Sequence, residues 1–216
     1  MTVGVIDYGV GNTGSVLGAL GRLDASAALI SDPDRLADQS KIILPGVGNF
    51  AECMGILTAN GWTEAIRSVV LDGSTPILGI CLGMQLLASR SSEGAPHSHG
   101  SGAEAEGLDL IPGNVRHLRA LGCQSRVPHI GWNAVDRISN NSDLMNGIPS
   151  GTDFYFVHGY GFVPDDERHV VGTVTYDVPI TATVQNGHIW GAQFHPEKSS
   201  KAGARLLRNF LDFTPC

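Results

Sequence analysis

The spacing of apolar residues changes repeatedly along the first part of the chain. Short runs of aliphatic and β-branched residues at 3–6, 28–30, 42–44 and 76–80 predict buried strands. Apolar residues at helical spacing between them predict helices over 13–23, 51–57 and 62–71. Because strands alternate with helices, we expect an α/β fold with a mostly parallel central sheet flanked by helices on both faces.

The pattern differs beyond residue 87. Residues 89–106 are rich in Ser, Gly, His and Glu without apolar periodicity, which predicts an exposed loop. Short β-like runs at 114–118, 154–157, 170–174, 181–185 and 189–194 predict antiparallel strands added to one side of the sheet, and 202–213 predicts a last helix. No repeat or interdomain linker is visible, so we expect a single domain over 1–216.

Composition narrows the class of protein. The 216 residues are 42% hydrophobic and 16% charged, which suits one globular domain with a sizeable core. A net charge of −7 argues against a nucleic-acid partner, and no apolar run is long enough for a membrane helix. Without a signal-peptide pattern or C-x-x-C spacing, we expect a cytoplasmic protein. Three cysteines are expected to be non-catalytic: Cys53, Cys123 and Cys216.

The remaining cysteine follows the predicted strand at 76–80. The spacing Gly79-Ile80-Cys81-Leu82-Gly83 is the thiol counterpart of the G-x-S-x-G elbow, in which flanking glycines permit a strained strand-to-helix turn. Such a turn places the sulfur above the carboxyl edge of the sheet, at a helix N-terminus whose dipole favours a thiolate. We therefore predict that Cys81 is a nucleophile, and a nucleophile needs a base.

A candidate base stands at the end of the run at 189–194. Pro196 breaks the strand after His195, and Glu197 follows two residues beyond the histidine. Because residues i and i+2 of an extended segment point to the same face, Glu197 is expected to hold one ring nitrogen while the other faces the thiol. A strand-end histidine alone is more often structural, but together these residues predict a Cys-His-Glu triad for acyl transfer.

Acyl transfer also needs donors for a developing oxyanion. The backbone N–H of Leu82 is one, because this residue follows the nucleophile and opens the helix. The turn Pro45-Gly46-Val47-Gly48 ends a neighbouring strand, and its glycines permit positive φ values that aim an amide inward. We expect the second donor there, with an ordinary strand-to-helix loop as the alternative.

Two further patterns suggest other chemistry. Residues 9–14 match G-x-G-x-x-G, and Asp32 lies near the distance of a ribose-binding acid, but in a chain with 28 glycines a tight βα turn is favoured over a dinucleotide site. His97 and His99 could ligate a metal, yet two loop histidines without further ligands favour no metal site. We predict neither a metal nor a cofactor.

With these residues in hand, the chain resembles the class I, or triad, glutamine amidotransferases. The resemblance covers nearly the whole length and rests on segments 8–12, 44–48, 79–87, 92–94, 107–113, 127–133, 154–158 and 193–199. The segments at 45–48 and 128–133 are most similar to those of the glutaminase subunits of imidazole glycerol phosphate synthases. The resemblance implies a flavodoxin-like fold and hydrolysis of L-glutamine to glutamate and ammonia through a γ-glutamyl thioester.

The resemblance also implies the positions of the substrate. Gln85 and Glu93 would hold the amino-acid end of glutamine, since a carboxylate can pair with an ammonium group. The backbone at His158, Gly159 and Tyr160 would hold the glutamine carboxylate. Gly159 stands where the family usually has Ser, and loss of one hydrogen bond, worth about 0.5–1.5 kcal/mol, predicts weaker glutamine binding. The oxyanion hole would consist of Val47, Gly48 and Leu82.

A partner subunit is implied as well. In such a heterodimer ammonia passes to a (β/α)8-barrel cyclase, which makes imidazole glycerol phosphate and a carboxamide ribonucleotide in histidine biosynthesis. Two alternatives stay open: a paralogous subunit that supplies ammonia for surface-polysaccharide sugar amidation, and a catalytically silent partner-binding subunit. For the tryptophan of the partner-facing segment, core packing is the alternative to an interface anchor. The residues expected at the interface are Asn12, His129, Trp132 and Asn133.

Overall fold

The computed structural model of the chain describes residues 2–94, 104–138 and 142–214. Five helices of these ranges are labelled α1 (Thr13–Gly21), α2 (Phe50–Ala59), α3 (Trp62–Arg67), α4 (Leu82–Leu86) and α5 (Ser200–Asp212). The strands are β1 (Val3–Ile6), β2 (Ala27–Ile30), β3 (Lys41–Gly46), β4 (Ile77–Cys81), β5 (Arg90–Ser91), β6 (Ala105–Glu106), β7 (Gly113–His117), β8 (His129–Arg137), β9 (Thr152–His158), β10 (Tyr160–Pro164), β11 (Val170–Tyr176), β12 (Val178–Asn186) and β13 (Ile189–Ala192).

A nine-stranded sheet with the order β2-β1-β3-β4-β13-β12-β11-β8-β9 forms the centre. The first five strands of this order pair in parallel, and the remaining pairs are antiparallel. The predicted α/β class is confirmed. One strand direction was wrong: β13 was expected to be antiparallel, but it runs parallel to β4. The hairpin after β12 places β13 between β12 and β4. Apolar spacing carries no information on the direction of a strand.

Helices cover both faces of the parallel strands, as predicted. Along β3 the side chains alternate: Ile43 belongs to the core that includes α1 and α5, whereas Ile42 and Leu44 belong to the core on the α2 and α3 side. The runs are apolar throughout because both faces of these strands are buried. The helix predicted over 202–213 is present as α5, and its residues Leu206, Leu207 and Phe210 are buried. None of the helices in the described ranges is long and apolar enough to cross a membrane.

A second sheet, with the order β10-β7-β5-β6, was not predicted. Its two-residue strands β5 and β6 lie in the segment 89–106 that was expected to be an exposed loop, and Ser91 is fully buried. That expectation was wrong at both ends of the segment, because two residues are too few to show a period. The central part, 95–103, lies outside the described residues, as do His97 and His99.

Candidate active site

Three neighbouring strands bring the predicted chemistry to one edge of the sheet. Because β3, β4 and β13 are parallel and adjacent, their carboxyl ends meet, and Gly46 stands opposite Cys81 in the register. A cavity of about 360 Å³ opens at this edge. Except for Glu197, which lies behind the histidine, every predicted catalytic, oxyanion and substrate residue lines it. The lining residues are Val47, Gly48, Cys81, Leu82, Gln85, Glu93, Pro128, Val157, His158, Gly159, Tyr160, His195 and Lys198.

The strand-to-helix turn at Cys81 is strained at the cysteine itself. Cys81 has φ 56° and ψ −113°, and α4 begins at the next residue. We expected the flanking glycines to permit a strained backbone, but neither of them has a positive φ. A Cβ on Gly83 would lie 1.8 Å from the Leu44 carbonyl oxygen, and one on Gly79 would lie 2.5 Å from the Gly83 oxygen. The glycines allow close packing of the turn.

His195 and Glu197 form a buried pair. The ring Nδ1 lies 2.8 Å from Glu197 Oε1, and the side chains are 6% and 1% exposed. Residues Pro196–Lys198 form a 3₁₀ turn, so the expectation of an extended segment was wrong and the turn brings the carboxylate back to the ring. The His195 backbone N–H donates to the Tyr155 carbonyl at 2.9 Å, which fixes the segment to β9.

The surroundings of His195 favour its protonated form. Burial alone would lower the pKa of the imidazole, but the neighbouring Cys81 sulfur and the hydrogen-bonded Glu197 carboxylate outweigh burial and raise the pKa to about 9. With Nδ1 held by the carboxylate, Nε2 is the nitrogen available to the sulfur. The arrangement can therefore exchange a proton between ring and thiol.

The turn after β3 lies beside the nucleophile. Val47 is 41% exposed, and Gly48 has φ 97°. The Cys53 thiol donates to the Val47 carbonyl at 3.5 Å, so this cysteine contacts the turn from the α2 side. The turn and the start of α4 thus bring the backbones of Val47 and Leu82 to the same cavity, where both can serve a developing oxyanion.

Gln85 and Glu93 line the wall where the amino-acid end was expected. The Gln85 amide nitrogen donates to the Tyr160 carbonyl at 3.0 Å and to Gln193 Oε1 at 2.8 Å. Both of its hydrogens are used, so the remaining polar atom of this amide is an oxygen that can only accept. Burial raises the pKa of the Glu93 carboxyl, and the Phe50 N–H bonded to it at 3.0 Å partly offsets this.

The imidazole rings of His158 and His129 form a buried pair. Burial lowers its pKa to about 4, so the ring is neutral near pH 7. Its Nδ1 donates to the Tyr160 carbonyl at 2.8 Å, and its Nε2 therefore accepts from His129 Nδ1 at 3.1 Å. His129 is only 2% exposed. Its expected place on the partner-facing surface is corrected: the ring points into the fold.

The other expected interface residues differ in exposure. Trp132 is 53% exposed and Ile130, two residues earlier on β8, is 59% exposed, so they form an apolar patch. Asn12 is exposed and caps α1 by accepting from the Ser15 N–H at 3.3 Å. Asn133 is half-buried, and its amide donates to the carbonyl of the exposed Thr175 at 3.1 Å. Strand β8 itself was missed.

Several residues of the site were not predicted. The Cys81 sulfur lies 3.7 Å from the Val157 carbonyl oxygen and 4.0 Å from Gln193 Nε2. Pro128 and Lys198 also line the cavity. All four residues lie in segments that carry the family resemblance: Pro128 in 127–133, Val157 in 154–158, and Gln193 and Lys198 in 193–199. That resemblance gave them no role, and their place at the cavity depends on pairing of strands distant in sequence.

The alternative sites receive no support from the described residues. Gly9 and Gly11 have positive φ values, and Asn12 caps the helix that follows, so residues 9–14 form a tight βα turn. The Asp32 carboxylate accepts from the Asp34 N–H at 3.1 Å, as a cap. The described ranges contain no group of three or more side chains suited to a metal. Cys216 lies outside them.

Comparison with known proteins agrees with this geometry. The family model described as glutamine amidotransferase class-I matches residues 4–213. The chain belongs to the class I glutamine amidotransferase family and is an enzyme of that family.

Among similar curated proteins is the imidazole glycerol phosphate synthase subunit HisH of Moorella thermoacetica, 46% identical over 208 residues, which are 96% of this chain and 93% of the relative. The HisH subunit of Halobacterium salinarum is 44% identical over 211 residues, 97% and 92% of the two chains. Among solved structures, PurLQS from Thermotoga maritima has a TM-score of 0.74 at 20% identity, covering 98% and 97% of the two chains, which shows the same fold.

Proposed function

We propose that this chain is the glutaminase subunit of an imidazole glycerol phosphate synthase, acting as a single domain in histidine biosynthesis. The carrying observation is the buried His195–Glu197 pair beside Cys81, at the edge where the β3 turn and the start of α4 meet. The full-length similarity to HisH subunits supports the pathway. Such a role agrees with the cytoplasmic location that the sequence predicts.

The first half of the proposed reaction forms a thioester. His195 takes the thiol proton, and the Cys81 sulfur attacks the side-chain carbonyl carbon of glutamine. The N–H groups of Leu82 and Val47 stabilise the oxyanion. When this intermediate collapses, the carbon–nitrogen bond breaks and His195 returns its proton to the nitrogen. Ammonia leaves, and a γ-glutamyl thioester remains on Cys81.

The second half releases glutamate. His195 accepts a proton from water, the hydroxide attacks the thioester carbonyl, and the carbon–sulfur bond breaks as the sulfur regains a proton. Glu197 holds Nδ1 of the ring at 2.8 Å and orients it throughout. The Gln85 oxygen and the Glu93 carboxylate can accept hydrogen bonds and so suit the α-ammonium group, and the backbone of Gly159 with its neighbours suits the α-carboxylate.

The proposed partner is a (β/α)8-barrel cyclase that receives the ammonia. An apolar patch with a half-exposed tryptophan and isoleucine on β8 is suited to such an interface, since aromatic anchors dominate binding energy. Because the turn at 45–48 must present the Val47 amide, and the resemblance ties this to the partner, we also expect the isolated chain to be a poor glutaminase. A full glutaminase rate from the purified chain alone would contradict this part.

The function is tested by Cys81→Ala in the complex with the cyclase. We expect glutamine-dependent turnover to disappear, while turnover with added ammonium salts persists, because only the ammonia source is lost. Cys123→Ala is the matched control: its thiol is also buried, but it lies near Asp177 and should leave both activities intact. Loss of both activities in Cys81→Ala, with the complex still assembled, would contradict the ammonia-donor role.

The pathway is tested separately in cells. Expression of the chain should restore growth without histidine to a strain that lacks its own glutaminase subunit but carries a compatible cyclase. Cys81→Ala should fail to do so at low ammonium. If the wild-type chain assembles only with a cyclase-like partner for sugar amidation, the polysaccharide alternative replaces the proposed pathway. If Cys81→Ala restores growth as well as the wild type, the silent-subunit alternative is favoured.

A further inference from the structure

The Gln193 side chain is fully buried next to the sulfur of Cys81. It follows β13, two residues before His195, and its backbone N–H donates to the Ala182 carbonyl at 2.8 Å. A buried amide needs partners at both ends, because an unsatisfied polar group costs free energy. Its two ends meet different partners, and those partners determine the direction of the amide.

The oxygen end of Gln193 is identified by Gln85. The Gln85 side-chain nitrogen can only donate hydrogen bonds. It lies 3.0 Å from the Tyr160 carbonyl oxygen and 2.8 Å from the nearer amide atom of Gln193. The nearby atom of Gln193 must therefore be its acceptor oxygen. The Gln193 nitrogen is then the end that lies 4.0 Å from the Cys81 sulfur.

The sulfur thus has neighbours of opposite kinds. The Val157 carbonyl oxygen, 3.7 Å away, can only accept, so it suits the protonated thiol. The Gln193 N–H can only donate, so it suits the thiolate. When the thiol proton moves to His195, the interaction with Val157 is lost and the one with Gln193 becomes charge-assisted and stronger.

We propose that Gln193 is a positioning residue that stabilises the Cys81 thiolate and connects it with the substrate-binding Gln85. This inference deepens the proposed function and rests on it. The contact chain is continuous: the amide of Gln193 touches the nucleophile, and the Gln85 amide that holds it also presents its oxygen to the amino-acid end of the substrate. Binding of glutamine at Gln85 therefore restrains the donor that faces the sulfur.

The test measures alkylation of Cys81 by iodoacetamide against pH, with the labelled site read by peptide mass spectrometry. The thiolate displaces iodide and forms a thioether, so the rate reports the thiolate fraction without glutamine or a partner. In Gln193→Met, which removes the donor at similar volume, we expect about tenfold slower alkylation at pH 7 and a midpoint displaced to higher pH. This variant keeps the other titratable side chains near the sulfur, which are His195 with Glu197, His158 and Tyr8.

Gln193→Glu gives a sharper result. It keeps an oxygen for Gln85 but places a second oxygen toward the sulfur, so alkylation should fall further than in Gln193→Met. Gln185→Met is the matched control, because it removes a glutamine of β12 that bonds Ser142 at 2.8 Å and lies away from the cavity. It should keep the wild-type alkylation profile. A role of Gln193 in structure alone would change the KM for glutamine and leave the profile unchanged.

One measurement needs no substitution at position 193. In the unaltered protein the side-chain NH₂ resonance of Gln193 should shift with the same pH midpoint as Cys81 alkylation, and the shift should vanish in Cys81→Ser. The inference would be overturned if the Gln193 NH₂ resonance does not titrate. It would also be overturned if Gln193→Met and Gln193→Glu have the same alkylation profile as Gln185→Met. Selective alkylation of Cys81 in the wild type would still support the proposed function, so the two failures are distinguishable.

Discussion

The two turns that follow β3 and β4 lie side by side, yet they are built in opposite ways. The turn at Cys81 is closed: a Cβ added at Gly79 or Gly83 would collide with backbone atoms. The turn at Val47 is open: a Cβ on Gly48 would meet no atom within 4 Å, and its φ of 97° is what selects glycine. One turn is determined by packing and the other by backbone conformation.

The change from a packed to an open backbone occurs within two residues, between Gly46 and Gly48. A Cβ on Gly46 would lie 2.7 Å from the Gly83 nitrogen, so the start of the β3 turn is packed on the nucleophile turn. Beyond it, Val47 is half-exposed and Gly48 is unconfined. The turn that carries the proposed nucleophile is therefore fixed by packing, whereas the turn that carries the proposed second oxyanion donor has open space around it.

The largest effect is expected from Gly83→Ala. The added methyl group would lie 1.8 Å from the Leu44 carbonyl oxygen, so β3 and α4 must separate. We expect the free energy of unfolding to fall by about 3 kcal/mol or more in urea denaturation, with loss of glutamine turnover. Gly55→Ala is the control, since this glycine of α2 has no neighbour within 4 Å and alanine there should stabilise by up to about 1 kcal/mol. Equal stability of the two variants would refute a closed turn.

A smaller effect on stability is expected from Gly48→Ala. Alanine at positive φ costs about 1–2 kcal/mol, and if the turn relaxes, the Val47 amide leaves the oxyanion site. Loss of one such donor lowers kcat by about 10²-fold, so activity should fall far more than stability. Gly187→Ala, at φ 58° in the β12–β13 hairpin, carries the same strain away from the cavity and should keep kcat. Parallel loss of kcat in both variants would contradict a specific role of the turn.

The smallest effect is expected from Gly159→Ser. This glycine has neither a positive φ nor a close neighbour: an added Cβ would lie 3.6 Å from Val127 Cγ1. A hydroxyl here can restore the hydrogen bond that the family usually has, so the KM for glutamine should fall about two- to tenfold in steady-state kinetics. Gly159→Ala separates the methyl group from the hydroxyl. A higher KM in the serine variant would show that the cavity wall has less room than the geometry gives.

The parallel part of the fold was predictable because its strands are buried on both faces. Runs such as 76–80 are uninterrupted and end in recognisable turns, so the positions of Cys81 and Val47 followed from the order of elements. The antiparallel part was harder. In β8, Ile130 and Trp132 are exposed, so the strand lacks the continuous apolar run of a buried strand, and the segment 127–133 was assigned only from the resemblance, as partner-facing and without a strand.

The missing parts of the site depend on contacts between distant residues. His129 and His158 are 29 residues apart, and their buried pair exists only because β8 and β9 are neighbours in register. The turn at Pro196–Lys198 was missed because Glu197 reaches His195 in either an extended or a turned backbone. Spacing alone does not separate these two conformations.

The most direct test of the account is capture of the covalent intermediate. Wild-type chain in complex with the cyclase, quenched in acid during glutamine turnover, should carry a γ-glutamyl group on the peptide that contains Cys81, detected by mass spectrometry. The adduct should disappear when glutamine is exhausted. Steady release of ammonia without any adduct on Cys81, or an adduct on another residue, would contradict the assignment of Cys81 as the nucleophile.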